Sequence, residues 1–326
     1  MMTKIEDLWQ VMRNEATTSP QTDNGWKLVR LDPDHPFDIY AAIDENGLAM
    51  LAIGTSALPP SINGDTGALD YIRFQRFGGR WLMGLRLAGQ GLEDVFGRLC
   101  QDLADAAAEV ATETALVALF RERLMLWQRL FRDGGNGLLQ RFQIKGLMGE
   151  LIALEEFIQL RPDEPLLSVM AWTGPEGTSQ DFLFSDHAVE VKAVSANAVA
   201  VSISSAKQLD CLLPLILRTY VLREASAEEA GALTLPLLAA RIEQLLAGSP
   251  GGNAVFREKL LEAGYVEHEY YRSVAYSPLE SRHYAVSPAF PRIIPALLPV
   301  GIPDVSYSIL FSALEKFRVL ETQDAA

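Results

Sequence analysis

Cysteine and histidine are scarce in this chain, with two and four copies among 326 residues. Cys100 and Cys211 lie far apart, and no histidine neighbours either at zinc-ligand spacing. That pattern argues against a disulfide scaffold and a zinc site, and a reducing cytoplasm fits the composition. His35, His187, His268 and His283 show no ligand spacing among themselves. Long apolar runs are also missing. None reaches the roughly 18 residues of a membrane span, and Met1 to Gln10 mixes charges with Leu and Trp where a signal peptide would need an apolar core.

Positive charge is the third shortage. Lys and Arg number 28 against 42 Asp and Glu, a formal net charge of -14. The deficit is spread out: residues 1–135 carry 13 basic and 19 acidic side chains, residues 136–223 carry 7 and 10, and residues 224–326 carry 8 and 13. Binding to nucleic-acid phosphates is electrostatically driven. A broad basic face is therefore excluded, and any nucleic-acid footprint must be a small patch or come from a partner.

What is present suits a globular protein with a sizeable core: 49% hydrophobic and 21% charged residues, over a length that favours two domains. The first part reads as β-rich. Trp26–Leu31, Phe37–Ile43 and Leu48–Ile53 are short apolar runs, and Tyr71–Leu87 reads as a hairpin turning at Gly78-Gly79. From Leu92 to about Phe131 the spacing is helical, with a break near Thr112. Gly134-Gly135-Asn136-Gly137 divides the chain into residues 1–135 and 136–326. A helix over Leu138–Leu160 follows, then strands at Gln180–Phe184, Ala188–Val194 and Ala198–Ser204. Leu212–Leu222 is open between strand and buried helix. Leu233–Ala247 and Asn253–Ala263 read as helices. The proline-rich tail reads as loop and edge strand, then Ser306–Leu310 and a helix near Ala313–Leu320.

Chemistry concentrates in Gln180–Val194. Glu190 and Lys192 are two apart on a strand, so both leave the same face. With Ser185-Asp186 at the turn, Asp181 lies opposite Glu190, where Cβ atoms stand roughly 4.5–5.5 Å apart. Two carboxylates so close repel unless something positive intervenes, and a divalent cation with oxygen ligands is the natural candidate. Lys192 then projects beside that metal, able to orient a water or offset phosphate charge. Glu150 has Gly146, Leu147, Ala153 and Leu154 as its helical neighbours, an apolar face that turns it inward with no Lys or Arg in pairing reach. Taken singly, each motif has a plainer explanation: a solvated strand face, a turn cap, a satisfied core acid. Their conjunction favours a site.

These residues resemble a known group. Gly146–Leu151, Trp172–Pro175, Asp181-Phe182, Glu190–Ala193 and Ser204–Leu209 are similar to the bacterial PD-(D/E)XK family-member proteins, relatives of restriction endonucleases often associated with phage-defence gene clusters. Gln180 stands where the family name has proline. The resemblance implies Asp181 and Glu190 as metal ligands, Lys192 as catalytic lysine, Glu150 as the helix acid completing the metal site, and Gln208 near the site as a phosphate contact. It also implies an α/β fold: a restriction-endonuclease-like mixed sheet flanked by helices, after a β-rich N-terminal domain with a helical segment. The expected activity is hydrolysis of DNA, with Mg²⁺ (or Mn²⁺) held by Asp181, Glu190, the Val191 carbonyl and, through water, Glu150. RNA stays open as a substrate, as do a homodimer and protein partners in a defence complex. The alternative is a non-catalytic interaction subunit, which the acidic charge favours.

Weaker signals remain. Arg73, Arg76, Arg80 and Arg86 lie among Tyr71, Phe74, Phe77 and Trp81, a pattern that suits phosphate and base contact but more often marks a polar face over an aromatic core. Arg121, Arg123, Arg129 and Arg132 read as solvated, His187 as an exposed turn residue, and Trp172 as a core anchor.

Overall fold

The structure is a computed structural model and describes residues 4–14, 22–23, 25–62, 68–76, 78–89, 91–131 and 137–319. It forms two compact units, residues 1–138 with 266–268, and residues 139–265 with 269–326. Of the Gly134–Gly137 punctuation, only Gly137 lies within the described residues.

The first unit opens with helix α1 (Ile5–Asn14), which the sequence reading did not expect. Its buried residues Ile5, Trp9 and Met12 follow helical spacing, but the segment is short and charged. Six strands follow: β1 (Thr22–Asp23), β2 (Trp26–Arg30), β3 (Ile39–Ile43), β4 (Ala49–Thr55), β5 (Leu69–Gln75) and β6 (Trp81–Leu87). They pair antiparallel in the order β1-β2-β3-β4-β6-β5. Every residue of β4 is buried, as a central strand covered on both faces requires. Gly78 and Gly79 turn the β5–β6 hairpin with φ of 94° and 87°, values that side chains with a Cβ avoid. Helices α2 (Glu93–Ala108) and α3 (Glu113–Leu130) are separated where Thr112 caps α3, its side chain accepting from the Ala115 amide.

The second unit begins with α4 (Arg141–Leu160), whose start is set when the Gln143 side chain takes the Gln140 amide. It ends ahead of Pro162, which disfavours helical backbone at Arg161. Next come α5 (Pro165–Ala171), β7 (Phe182–Leu183), β8 (Ala188–Ser195), β9 (Ala200–Ile203), β10 (Leu215–Ala225), β11 (Leu233–Thr234), α6 (Leu235–Leu245), α7 (Gly252–Glu262) and β12 (Ala275–Ala285). The tail adds β13 (Tyr307–Leu310), α8 (Phe311–Leu314) and β14 (Arg318–Val319). The main sheet runs β11-β12-β10-β8-β7, with β14 against β12, while β9 and β13 form a separate pair. β8 and β10 are parallel and the other pairs antiparallel, so the sheet is mixed.

Three expectations change here. The ambiguous run at 212–222 is a strand, buried along most of β10. The sequence reading missed β12, because Pro278 and several charged residues disguise its alternation; Pro278 sits at a bulge opposite Leu222, where a ladder tolerates proline. The tail helix is four residues followed by a tighter turn at Glu315–Phe317, and Leu320 lies outside the described residues.

Candidate active site

The site forms along the open edge of β8. Pairing of Phe182 with Val189 and Leu183 with Ala188 fixes the hairpin register, and the Phe184 amide closes its turn on the His187 carbonyl at 2.9 Å. Continuing that register sets Asp181 opposite Glu190. Because β7 is only two residues long, β8 beyond Glu190 has no strand neighbour on that side among the described residues. Asp181 occupies the gap, accepting from the Val191 amide through Oδ2 at 2.7 Å. In an extended strand the carbonyl of a residue points the same way as its amide, so the Val191 carbonyl faces this edge too.

Alternation then divides the strand. Val191 and Ala193 face α4, where a Cβ on Gly149 would come within 3.4 Å and 3.2 Å of their side chains. That near contact is why the helix carries glycine there. Glu190 and Lys192 leave the other face, between Ala188 and Val194 of an apolar cluster. Glu190 is wholly buried. Its Oε1 accepts from Lys192 Nζ at 2.5 Å, and its Oε2 has no donor among the described residues. A carboxylate buried with half its acceptor capacity unmet is costly.

Glu150 reaches the same place from α4. The sequence reading left it without a partner; the structure supplies one, the Trp172 indole N–H, at 2.8 Å from Oε2. Trp172 is fully buried, and its carbonyl accepts from Lys259 of α7, which also pairs with Glu176. Trp172 is thus both the core anchor that was expected and a direct support of Glu150. The Gly174 backbone closes the group: a Cβ there would lie 2.9 Å from Glu150 Oε2 and 3.0 Å from Asp181 Oδ1.

Glu150 and Asp181 share one cavity of about 490 Å³, lined also by Val191, Lys192 and Gln208 among others. Burial, then the Asp181 charge, pushes the Glu150 carboxyl up to about 8. Burial also raises Asp181, against the opposing pull of Lys192 and the Val191 amide. Glu190 is raised well above the carboxylate range by burial and by the Asp181 charge. Burial works against the Lys192 ammonium, yet the charges of Glu190, Asp181 and Glu150 together hold it above the ordinary lysine value. Burial and mutual repulsion thus favour the protonated carboxyls, so the metal-free group does not carry the full charge of three carboxylates beside Lys192.

Among the described residues, no three His, Cys, Asp or Glu side chains close into a metal cage. Mg²⁺ does not need one, since it takes one or two carboxylates and keeps water and phosphate oxygens. The donorless Glu190 oxygen and the bare Gly174 face between Glu150 and Asp181 fit an oxygen-binding cation. Gln208 lines the cavity, but its carboxamide oxygen is engaged by the Ser204 amide and hydroxyl at 2.9 Å and 3.0 Å.

The secondary signals resolve structurally. Arg73 donates to the Pro59 carbonyl, Arg76 lies over the Tyr40 ring, Arg80 pairs with Asp38, and Arg86 with Asp70 and Asp44. This segment is the polar face of a sheet; Phe77 lies outside the described residues. Arg123 is buried beside Asp102, contrary to the solvated reading, and Arg132 lies outside the described residues. His187 is also buried, its ring stacked on Phe184 at 4.6 Å and its Nδ1 2.8 Å from Asp186.

A family model described as "Putative PD-(D/E)XK family member, (DUF4420)" matches residues 5–312. No curated protein and no solved structure matches the chain. The family match takes in nearly the whole length of both units, and the chain belongs to this PD-(D/E)XK family.

Proposed function

We propose that the second unit is a restriction-endonuclease-like domain that hydrolyses DNA phosphodiesters with Mg²⁺ or Mn²⁺. The observation that carries this reading is the buried Glu190–Lys192 pair facing Asp181 across the open edge of β8. Support comes from the mixed sheet, with β8 antiparallel to β7 and parallel to β10, and from α4 bringing a fourth chemical group to one strand edge. Asp181, Glu190 and the Val191 carbonyl would hold the metal, with Glu150 joining through water. Bound there, the metal would polarise the phosphate and lower the pKa of a coordinated water. Lys192, already tethered by Glu190, orients that water and offsets charge developing on the phosphate. Trp172 keeps Glu150 turned into the cavity. The setting implied by the sequence resemblance is a restriction or phage-defence system.

The acidic balance favours one competing reading, a non-catalytic subunit of a DNA-modifying or defence complex. Incubating the protein with plasmid, linear duplex and single-stranded DNA, in Mn²⁺, Ca²⁺ or EDTA, separates the two. Cleavage in Mn²⁺ that Ca²⁺ and EDTA abolish, and that Lys192→Ala loses, supports the nuclease. Lys192→Ala cleaving as well as the parent would overturn it.

A further inference from the structure

The cavity extends past the acids along α4 and β8. Lys145 lies five residues before Glu150, about 7.5 Å toward the start of the helix. Ser195 lies three residues beyond Lys192, about 10 Å along the strand. The two meet there, Lys145 Nζ donating to Ser195 Oγ at 2.9 Å. Ser202 and Gln208 line the same cavity. With the Gln208 oxygen held by Ser204, its amide nitrogen is the end left to donate, and no protein acceptor engages it among the described residues. Besides Glu150, Asp181 and Lys192, the cavity thus offers a second ammonium, two hydroxyls and an amide. Phe142 stands three residues before Lys145 on the same helix face, also lines the cavity, and is 69% exposed. In a chain of net charge -14, a donor-rich pocket beside an exposed aromatic ring stands out.

We propose that this end of the cavity binds the nucleotide next to the scissile phosphate: Lys145, Ser195, Ser202 and Gln208 hold its phosphate, and Phe142 stacks on its base. The assignment rests on reading the cavity as a phosphodiesterase site, and it favours a strand whose bases are unpaired, since a ring can stack only on an accessible base. It also places a positive charge, that of Lys145, in the cavity of a chain whose overall balance is acidic.

The test is fluorescence anisotropy of a labelled single-stranded oligonucleotide in Ca²⁺ across a salt series. Lys145→Ala should weaken binding about tenfold and reduce the slope of log affinity against log salt by about 0.7, the loss of one phosphate contact. Lys145→Arg should restore both. Phe142→Ala should weaken binding at least fivefold without changing the slope. Unchanged affinity and slope in Lys145→Ala, or a parent that does not bind the oligonucleotide, overturns the subsite. Cleavage in Mn²⁺, measured on the same proteins, keeps the two readings apart. A parent that cleaves while Lys145→Ala binds normally leaves the nuclease and removes the subsite. A parent that binds through Lys145 but never cleaves does the reverse.

Discussion

The sheets of the two units treat charge in opposite ways. In the first, Arg80 meets Asp38, and Arg86 meets Asp70 and Asp44, as pairs still open to water on at least one side. In the second, Glu190 is buried among apolar side chains with one oxygen lacking a donor among the described residues, and Glu150 and Asp181 crowd the same edge. Exposed pairs contribute about 0–1 kcal/mol each and can be rearranged at small cost. A desolvated cluster of acids, whose charged forms burial and repulsion disfavour, costs stability, so its presence points to chemistry. Charge density alone does not separate the two regions. Burial and mutual repulsion do.

Breaking the buried pair should give the largest effect. Lys192→Ala should reduce DNA cleavage by about a hundredfold or more, as loss of a charge-stabilising group does. It should also lower the melting temperature, because Glu190 then loses the Lys192 ammonium that donates to its Oε1.

Two glycines sharpen the contrast between fold and site. A Cβ on Gly84 would lie 2.5 Å from the Leu51 carbonyl, a backbone atom that cannot move aside. Gly84→Ala should cost roughly 1–3 kcal/mol in urea unfolding. A Cβ on Gly174 meets the movable ends of Glu150 and Asp181 instead. Gly174→Ala should keep nearly all the stability while cleavage falls at least tenfold. Equal activity in Gly174→Ala and the parent would show that the Gly174 cradle is not catalytic.

The pH dependence of stability follows from Glu150. Its folded-state value near 8 stands above the ordinary 4.5, so between these values the folded protein holds a proton that the unfolded chain has lost. Stability of the metal-free protein should therefore fall as pH rises through that window. Glu150→Gln can still accept from Trp172 and should flatten the decline, melting a few degrees above the parent near pH 8. A Gln variant that melts lower at every pH would contradict the assigned strain. The smallest effect belongs to the first sheet: Arg80→Ala should change stability by no more than about 0.5 kcal/mol and leave DNA affinity unchanged.

Local features of the site were legible in the sequence because they depend on alternation and spacing. The hairpin register follows from residues 181–190, and the inward turn of Glu150 from its helical neighbours. Partners set by tertiary packing were not legible. Trp172 lies 22 residues from Glu150, and Lys259 lies 87 residues from Trp172. The ion pairs of Arg80 and Arg86 need the strand order, and His187 is buried by stacking on Phe184. In the fold, the bulge at Pro278 hid β12, and α1 was too short for its periodicity to stand out.

The central claim is that Asp181 and Glu190 oppose each other to hold a cation. Melting curves with and without Mn²⁺, for the parent and for Asp181→Asn, test it without a substrate. Asn can still accept from the Val191 amide, so the metal-free variant should melt at or above the parent. Mn²⁺ should raise the parent's melting temperature by mass action and leave the variant nearly unmoved. An Asp181→Asn protein that melts well below the parent yet gains equally from Mn²⁺ would make Asp181 a structural residue and contradict the metal site.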